Sequence, residues 1–236
     1  MLSYLRCLNK MDILIITLKS LGYSRTSKPL ELGPLVVHAV AGAGKSTVLR
    51  KLIIRHPIFT VHTLGVPDKV SIRTRGIQRP GPIPEGNFPI LDEYTLDNTT
   101  RSSYQALFAD PYQAPEFSLE PHFYLETSFR VPKKVATLIA DCGFEFETNS
   151  QEEGHLEVTG IFQGPLLGKV IAIDEESETT LSRHGVEFVK PCQVTGLEFK
   201  VVTIVSAAPI EEIGQSTPFY NAITRSKGLT YVRAGA

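Results

Sequence analysis

The stretch Val36–Ile53, "VVHAVAGAGKSTVLRKLI", constrains the fold of this chain more than any other. An apolar run enters a turn of small residues, the turn ends in Gly-Lys-Ser, and an amphipathic segment follows. Strand, glycine-rich turn and helix in this order are typical of a phosphate-binding loop, whose backbone N–H groups and lysine hold phosphates while a hydroxyl coordinates Mg²⁺. The N-terminus of the helix adds partial positive charge to such a site.

The loop departs from the full pattern, GxxxxGK[ST], at one position. Ala39 stands where the pattern has its first glycine. A chance Gly-Lys-Ser turn is the alternative interpretation, but a preceding strand and a following helix favour the phosphate loop. The predicted nucleotide contacts are Gly42, Ala43, Gly44, Lys45, Ser46 and Thr47.

Two neighbouring acids, Asp92 and Glu93, directly follow a short apolar run in the segment "FPILDEYT". Beside a phosphate loop, Asp92 at the tip of a strand is suited to hold Mg²⁺ together with Ser46. The adjacent Glu93 is suited to orient the attacking water. Taken alone, the pair is better explained as solvated acids at the start of a turn, and its position after a phosphate loop is what favours the metal site.

Apolar runs alternate with helical patterns along the chain, which predicts an α/β fold with parallel sheets flanked by helices. Residues 1–33 read as an N-terminal segment with a short amphipathic helix, residues 34–125 as a first lobe and residues 126–236 as a second. Strands are predicted at 34–40, 58–64, 88–95, 122–132, 169–177, 186–190 and 201–207, and helices at about 45–54 and 132–142. Residues 102–113 read as a short helix and a loop, and residues 73–87 as an irregular loop.

The formal net charge of −1 gives no overall basic signature, so RNA contact requires a local patch. The densest basic cluster, around the proline-rich loop, predicts an RNA-backbone contact, although a solvated loop explains it about as well. Its members are Lys69, Arg73, Arg75 and Arg79. The three cysteines form no CxxC pair, which disfavours a zinc site or a disulfide framework and fits a reducing compartment. No run approaches the roughly 18 to 20 apolar residues of a membrane span, so we expect a soluble protein without an integral membrane segment.

Six segments in series, from Leu35 to Val232, resemble the motifs of superfamily 1 RNA helicases of positive-strand RNA viruses. They are AGAGKS, LDEY, ADPYQ, TSFRVP, VTGLEFKVVTIV and YNAITRSKG. The series is more specific than any single segment. Within that group the chain is similar to the first movement proteins of the potexvirus triple gene block. It departs from the family at Ala109, where GDPxQ has its glycine.

The resemblance implies an ATP-dependent RNA helicase or NTPase with two RecA-like P-loop lobes, using ATP and Mg²⁺. Lys45 and Ser46 would bind phosphate and metal, Asp92 would hold the metal, and Glu93 would activate water. Gln113 would sense the γ-phosphate, Arg130 and Arg225 would act as arginine fingers, and Thr195 would contact RNA.

The partners implied by the resemblance are single-stranded viral RNA, the other triple gene block movement proteins, the coat protein and host silencing factors. The implied activities are cell-to-cell movement through plasmodesmata and suppression of RNA silencing, in the host cytoplasm, at plasmodesmata or in inclusion bodies. Self-association is a further expectation for a movement protein, without coiled-coil heptads to support it.

Two other functions stay open at this point. The chain could be an RNA- or host-factor-binding silencing suppressor that keeps the helicase fold mainly as a scaffold, because two bare lobes lack strand-separating insertions. It could also be a small-molecule P-loop kinase, but the paired later arginines and the lack of a substrate lid disfavour that function.

Overall fold

The computed structural model describes residues 9–31, 33–71 and 75–235. They divide into two compact units, with the change between Leu125 and Glu126. Residues 40–43, which the sequence assigned to the first lobe, group instead with the second unit. Ala41 and Gly42 make backbone hydrogen bonds to residues of that unit, which explains the grouping.

A six-stranded sheet forms the first unit, in the order β1-β6-β2-β5-β4-β3. Its pairings are parallel except for that of β1 with β6. The strands are β1 (Ser24–Arg25), β2 (Leu35–Ala39), β3 (Phe59–Thr63), β4 (Phe88–Asp92), β5 (Ala106–Ala109) and β6 (Phe123–Leu125). Every residue of β2, β3, β4 and β5 is buried, as expected of parallel strands covered on both faces.

Two α-helices belong to this unit, α1 (Lys10–Ser20) and α2 (Lys45–Arg55). Asn9 and Asp12 form a capping box at the start of α1, and Leu14 and Leu18 are fully buried. The predicted N-terminal helix is therefore confirmed. The helix predicted after the glycine-rich turn is also confirmed, and it buries one apolar face.

The second unit is built on a four-stranded parallel sheet, in the order β10-β11-β12-β9. A two-stranded parallel ladder, β7 with β8, lies in the same unit. In chain order the elements are β7 (Thr127–Ser128), α3 (Lys133–Asp141), β8 (Glu147–Thr148), β9 (His155–Gly160), β10 (Lys169–Ala172), α4 (Glu175–Arg183), β11 (Phe199–Val205), α5 (Ile210–Ile213), α6 (Thr217–Ile223) and β12 (Ser226–Ala234). The predicted α/β class with parallel sheets flanked by helices is confirmed.

Four local predictions were wrong. The strand expected over 122–132 is divided into β6 and β7, which belong to different sheets, and it ends at Ser128. The helix expected within 102–113 is instead a short 3₁₀ turn followed by β5, because a four-residue apolar run has no readable period and pairing between β2 and β4 decides its form. The strand expected over 169–177 ends at Ala172, and Asp174 caps α4. Residues 186–190 form no strand, and only Val189 makes an isolated bridge, to Ile171.

None of the helices in the described part of the chain is both long enough and apolar enough to cross a membrane.

Candidate nucleotide-binding site

The glycine-rich loop forms a tight turn that leads directly into α2. The amide of Ala43 donates to the carbonyl of Val40 at 3.1 Å, which closes a tight turn. Gly42 and Gly44 have φ values of 79° and 87°, a region that side chains disfavour. Gly44 is the N-cap of α2, so the loop passes directly into the helix and leaves the first helical N–H groups without intrahelical partners.

Gly42 is tightly enclosed by residues of the second unit. A Cβ atom at this position would lie 2.5 Å from Ser128 Oγ and 2.8 Å from Arg130 Cβ. The Gly42 carbonyl accepts a hydrogen bond from the Phe129 amide at 3.0 Å. Both the backbone conformation and the available space therefore require glycine.

We expect Gly42→Ala to weaken nucleotide binding about tenfold or more, because the new methyl group displaces Ser128 or Arg130 and adds left-handed backbone strain. Titration of a fluorescent ATP analogue measures this effect. The matched control is Gly185→Ala in the same unit, where φ is +67° and no atom lies within 4 Å of the added methyl group. Equal nucleotide affinities for the two variants would show that the close packing around Gly42 does not contribute to nucleotide binding.

Lys45 is the first residue of α2, and its side chain is buried. Its Nζ atom donates to the Ala39 carbonyl at 2.8 Å. Ser46 is half-buried and Thr47 is exposed. Among the described residues, Glu93 is the only non-glycine with a left-handed φ, so the backbone at Ala39 does not need the glycine of the full motif.

Asp92 ends β4 with only 3% of its surface exposed. Its Oδ1 atom is buried and has no hydrogen-bond partner. Burial, and then the charge of Glu93, raise the pKa of Asp92 to about 8, while Lys45 acts in the opposite direction. An orphaned buried carboxylate oxygen near an ammonium group fits the oxygen ligand set that Mg²⁺ prefers. Glu93 follows immediately, half-buried, with a φ of 54°.

Gln113 is held by Asp110, a fully buried residue directly after β5. Gln113 Nε2 donates to Asp110 Oδ2 at 2.9 Å, and the Tyr112 amide donates to Asp110 Oδ1 at 3.2 Å. The sequence indicated only a turn at Asp110 and did not predict its hydrogen bond with Gln113. Ala109 is the last residue of β5, where a strand conformation accommodates alanine in place of the family's glycine.

Arg130 is bound by other groups of the second unit. One of its terminal nitrogens pairs with Glu198, and the other donates to the Thr224 carbonyl at 3.1 Å. Glu198 also pairs with Lys227. Burial opposes ionisation of Glu198, but the two cations outweigh it and lower the pKa of this carboxyl. The sequence did not predict Lys227 as a member of this group.

Arg225 is more enclosed than Arg130, with 3% of its surface exposed. It follows α6 closely and donates to Thr224 Oγ1 at 2.9 Å. Thr195 is half-buried after a 3₁₀ turn, Pro191–Val194, in the same unit.

The predicted basic cluster lies in the first unit. Lys69, Arg75 and Arg79 are exposed, and Arg75 donates to the Pro57 carbonyl at 2.7 Å. Arg73 lies outside the described residues.

The description of the matching family model is the viral superfamily 1 RNA helicase core domain, and the match covers residues 35–234. This range contains the glycine-rich loop, the Asp92–Glu93 pair and the later arginines. The class of protein that the fold and the site define is therefore that of the viral superfamily 1 helicases.

Curated relatives identify the family more closely. The chain is 91% identical over 225 residues to the movement and silencing protein TGBp1 of Potato virus X. This match covers 95% of the present chain and 100% of the relative. It is 37% identical to TGBp1 of Plantago asiatica mosaic potexvirus, in a match that covers 95% of this chain and 97% of that relative. The chain belongs to the TGBp1 family of movement and silencing proteins, with a viral superfamily 1 helicase core.

A solved structure supports the fold. The structure of Arterivirus nonstructural protein 10, a helicase, in complex with DNA matches with a TM-score of 0.50 and 16% identity. The match covers 86% of this chain and 54% of the Arterivirus chain, so the present chain spans about half the length of that helicase. At this identity the likeness concerns the fold alone.

Proposed function

We propose that this chain is a Mg²⁺-dependent ATPase that single-stranded RNA stimulates. One observation carries the proposal. In the first unit, the buried ammonium group of Lys45 begins a helix behind a glycine-rich loop, and its charge acts on the orphaned carboxylate of Asp92 at the end of β4. An ammonium group for phosphate and a carboxylate for metal are the two charges that phosphoryl transfer requires.

The loop and its helix bind the nucleotide in this proposal. The backbone N–H groups of Gly42, Gly44 and Thr47 bind the phosphates, and Lys45 supplies the positive charge. Ala43, whose own amide donates to the Val40 carbonyl, lines the loop and holds its turn. Ser46 and Asp92 hold Mg²⁺. When bound, the metal neutralises charge on the phosphate oxygens.

Glu93 is suited to accept a proton from the attacking water. Gln113, held by the buried Asp110 carboxylate, orients that water and senses the γ-phosphate. Arg130 and Arg225 stabilise charge that develops in the transition state. The burial of Arg225 and the anchoring of Arg130 by Glu198 support their assignment as preorganised groups.

RNA binding is assigned to exposed basic residues and to the helicase segment near Thr195. The exposed positions of Lys69 and Arg79 support this assignment, and Arg73 and Arg75 complete the predicted cluster. Backbone contacts by such side chains are independent of sequence and weaken as salt rises.

The biological setting is proposed from the family. ATP turnover would support the passage of viral RNA between host cells through plasmodesmata, together with other triple gene block proteins and the coat protein. Silencing suppression would act on host silencing factors in the cytoplasm. Self-association remains a proposal of the same kind.

The test is ATP hydrolysis by the purified full-length protein, with and without single-stranded RNA, in Mg²⁺ and in excess chelator. We expect turnover that RNA increases and that chelation abolishes. RNA binding is measured in parallel by fluorescence anisotropy.

Negligible turnover in every condition, with RNA still bound, would contradict the proposal. That result would favour the alternative of a binding protein that retains the helicase fold as a scaffold. Transfer of phosphate to a small metabolite instead of water would identify a kinase.

A further inference from the structure

The hydroxyl of Tyr220 makes a direct contact with the phosphate loop. The Ala41 amide donates a hydrogen bond to Tyr220 Oη at 3.1 Å. Tyr220 lies in α6 and is fully buried, and Ala41 is also buried, with 2% of its surface exposed. Both residues belong to the second unit. The Ala41 N–H is thus a buried backbone donor that depends on a side chain 179 positions away.

The other bonds that hold this half of the loop come from the backbone. The Gly42 carbonyl accepts from the Phe129 amide, and the Ala43 amide donates to the Val40 carbonyl. Substitution cannot readily remove those two bonds. The Tyr220 hydroxyl is therefore a side-chain group that holds the entry of the loop, in addition to the Lys45 ammonium group at the Ala39 carbonyl.

We propose that Tyr220 is a positioning residue of the nucleotide site, and this inference rests on the proposed ATPase function. Its hydroxyl fixes the Ala41 amide, so the following Gly42 and Gly44 are preset in their left-handed conformations before nucleotide binds. Preorganisation of this kind removes the cost of ordering the loop upon binding.

The position of Tyr220 in α6 adds a second consequence. Arg225, a proposed finger, follows the C-cap residue of that same helix, Thr224. One short helix therefore carries the hydroxyl that fixes the loop and leads directly to the guanidinium group assigned to the transition state. A shift of α6 would alter both.

The testing variant is Tyr220→Phe, which keeps the ring packed against Phe144 and Phe146 and removes only the hydroxyl. A phenylalanine leaves the Ala41 N–H buried without its acceptor, so the loop must rearrange to satisfy the amide. We expect the Kd for a fluorescent ATP analogue and the KM for ATP to rise about three- to tenfold, with kcat changed less.

A matched control is Tyr104→Phe. Tyr104 is also a buried tyrosine with a defined hydrogen bond, to His62 Nδ1 at 2.8 Å, but it lies in the first unit, in a hydrophobic cluster with Leu91 and Tyr94. Hydrogen exchange supplies a readout that general destabilisation would not move. In Tyr220→Phe we expect faster exchange in the peptide that contains Ala41, and in Tyr104→Phe exchange of that peptide should equal that of the wild type.

The possible outcomes distinguish a failure of this inference from a failure of the proposed ATPase function. If the wild type binds ATP, and Tyr220→Phe matches it in both nucleotide affinity and loop exchange, the positioning of the loop by Tyr220 is wrong while the ATPase proposal stands. Faster exchange with unchanged affinity and KM would also overturn the inference. If the wild type binds no nucleotide, the proposed function fails, and the inference fails with it.

Discussion

Lys45→Ala is expected to reduce ATP turnover at least about 100-fold, the loss typical of removing one preorganised group that binds developing charge. Lys45 is buried at the first position of α2, where its ammonium group and the helix N-terminus supply positive charge at one point. Turnover with saturating RNA is the measurement.

The structural effect of Lys45→Ala should be small by comparison. The substitution removes the hydrogen bond from Nζ to the Ala39 carbonyl, at an expected cost of about 1 kcal/mol. The control is Lys51→Ala, at an exposed lysine of the same helix. Turnover of Lys45→Ala close to that of Lys51→Ala, in variants with similar melting temperatures, would refute the assignment of Lys45 to the phosphates.

Asp92→Asn is expected to have opposite effects on activity and stability. Activity should fall at least about 100-fold, because an amide cannot replace a charged metal ligand. The folded protein without Mg²⁺ should become more stable, by on the order of 1–3 kcal/mol, because the carboxylate is buried beside Glu93 with an orphaned oxygen. Asparagine has the same shape and carries no charge to bury.

The pH dependence of this stability gain follows from the raised pKa of Asp92, about 8 in the folded state against an ordinary value of 3.8. Between these values the folded protein holds a proton that the unfolded chain has released, so the stability of the wild type falls as pH rises. The advantage of Asp92→Asn should therefore be absent near pH 3.8 and grow up to about pH 8.

Chemical denaturation in chelator at several pH values measures that advantage. Glu85→Gln is the control, because it makes the same change of charge at an exposed residue of the same unit. A stability difference independent of pH, or a variant that retains Mg²⁺-dependent turnover, would contradict the assignment of Asp92 as a buried metal ligand.

Contiguous motifs were the part of this protein that the sequence predicted well. Strand β2, the glycine-rich turn and helix α2 follow one another without interruption, so their order and residue types can be recognised within one short stretch. The predicted α/β class was confirmed for the same reason, because alternating apolar runs and helical patterns are local signals. The helix predicted within 102–113 was wrong because the short apolar run there has no periodicity that distinguishes helix from strand. Pairing with β2 and β4 makes this run strand β5.

The sequence by itself determined which residues could carry charge and where the backbone could turn, because glycine, lysine and the acids have these properties in any fold. Only the tertiary structure decided which groups meet. Asp110 holding Gln113, Glu198 pairing with both Arg130 and Lys227, and Tyr220 receiving the Ala41 amide are products of folding. The last two join residues far apart in the chain, and such contacts leave no periodic signal because they depend on the packing of whole elements.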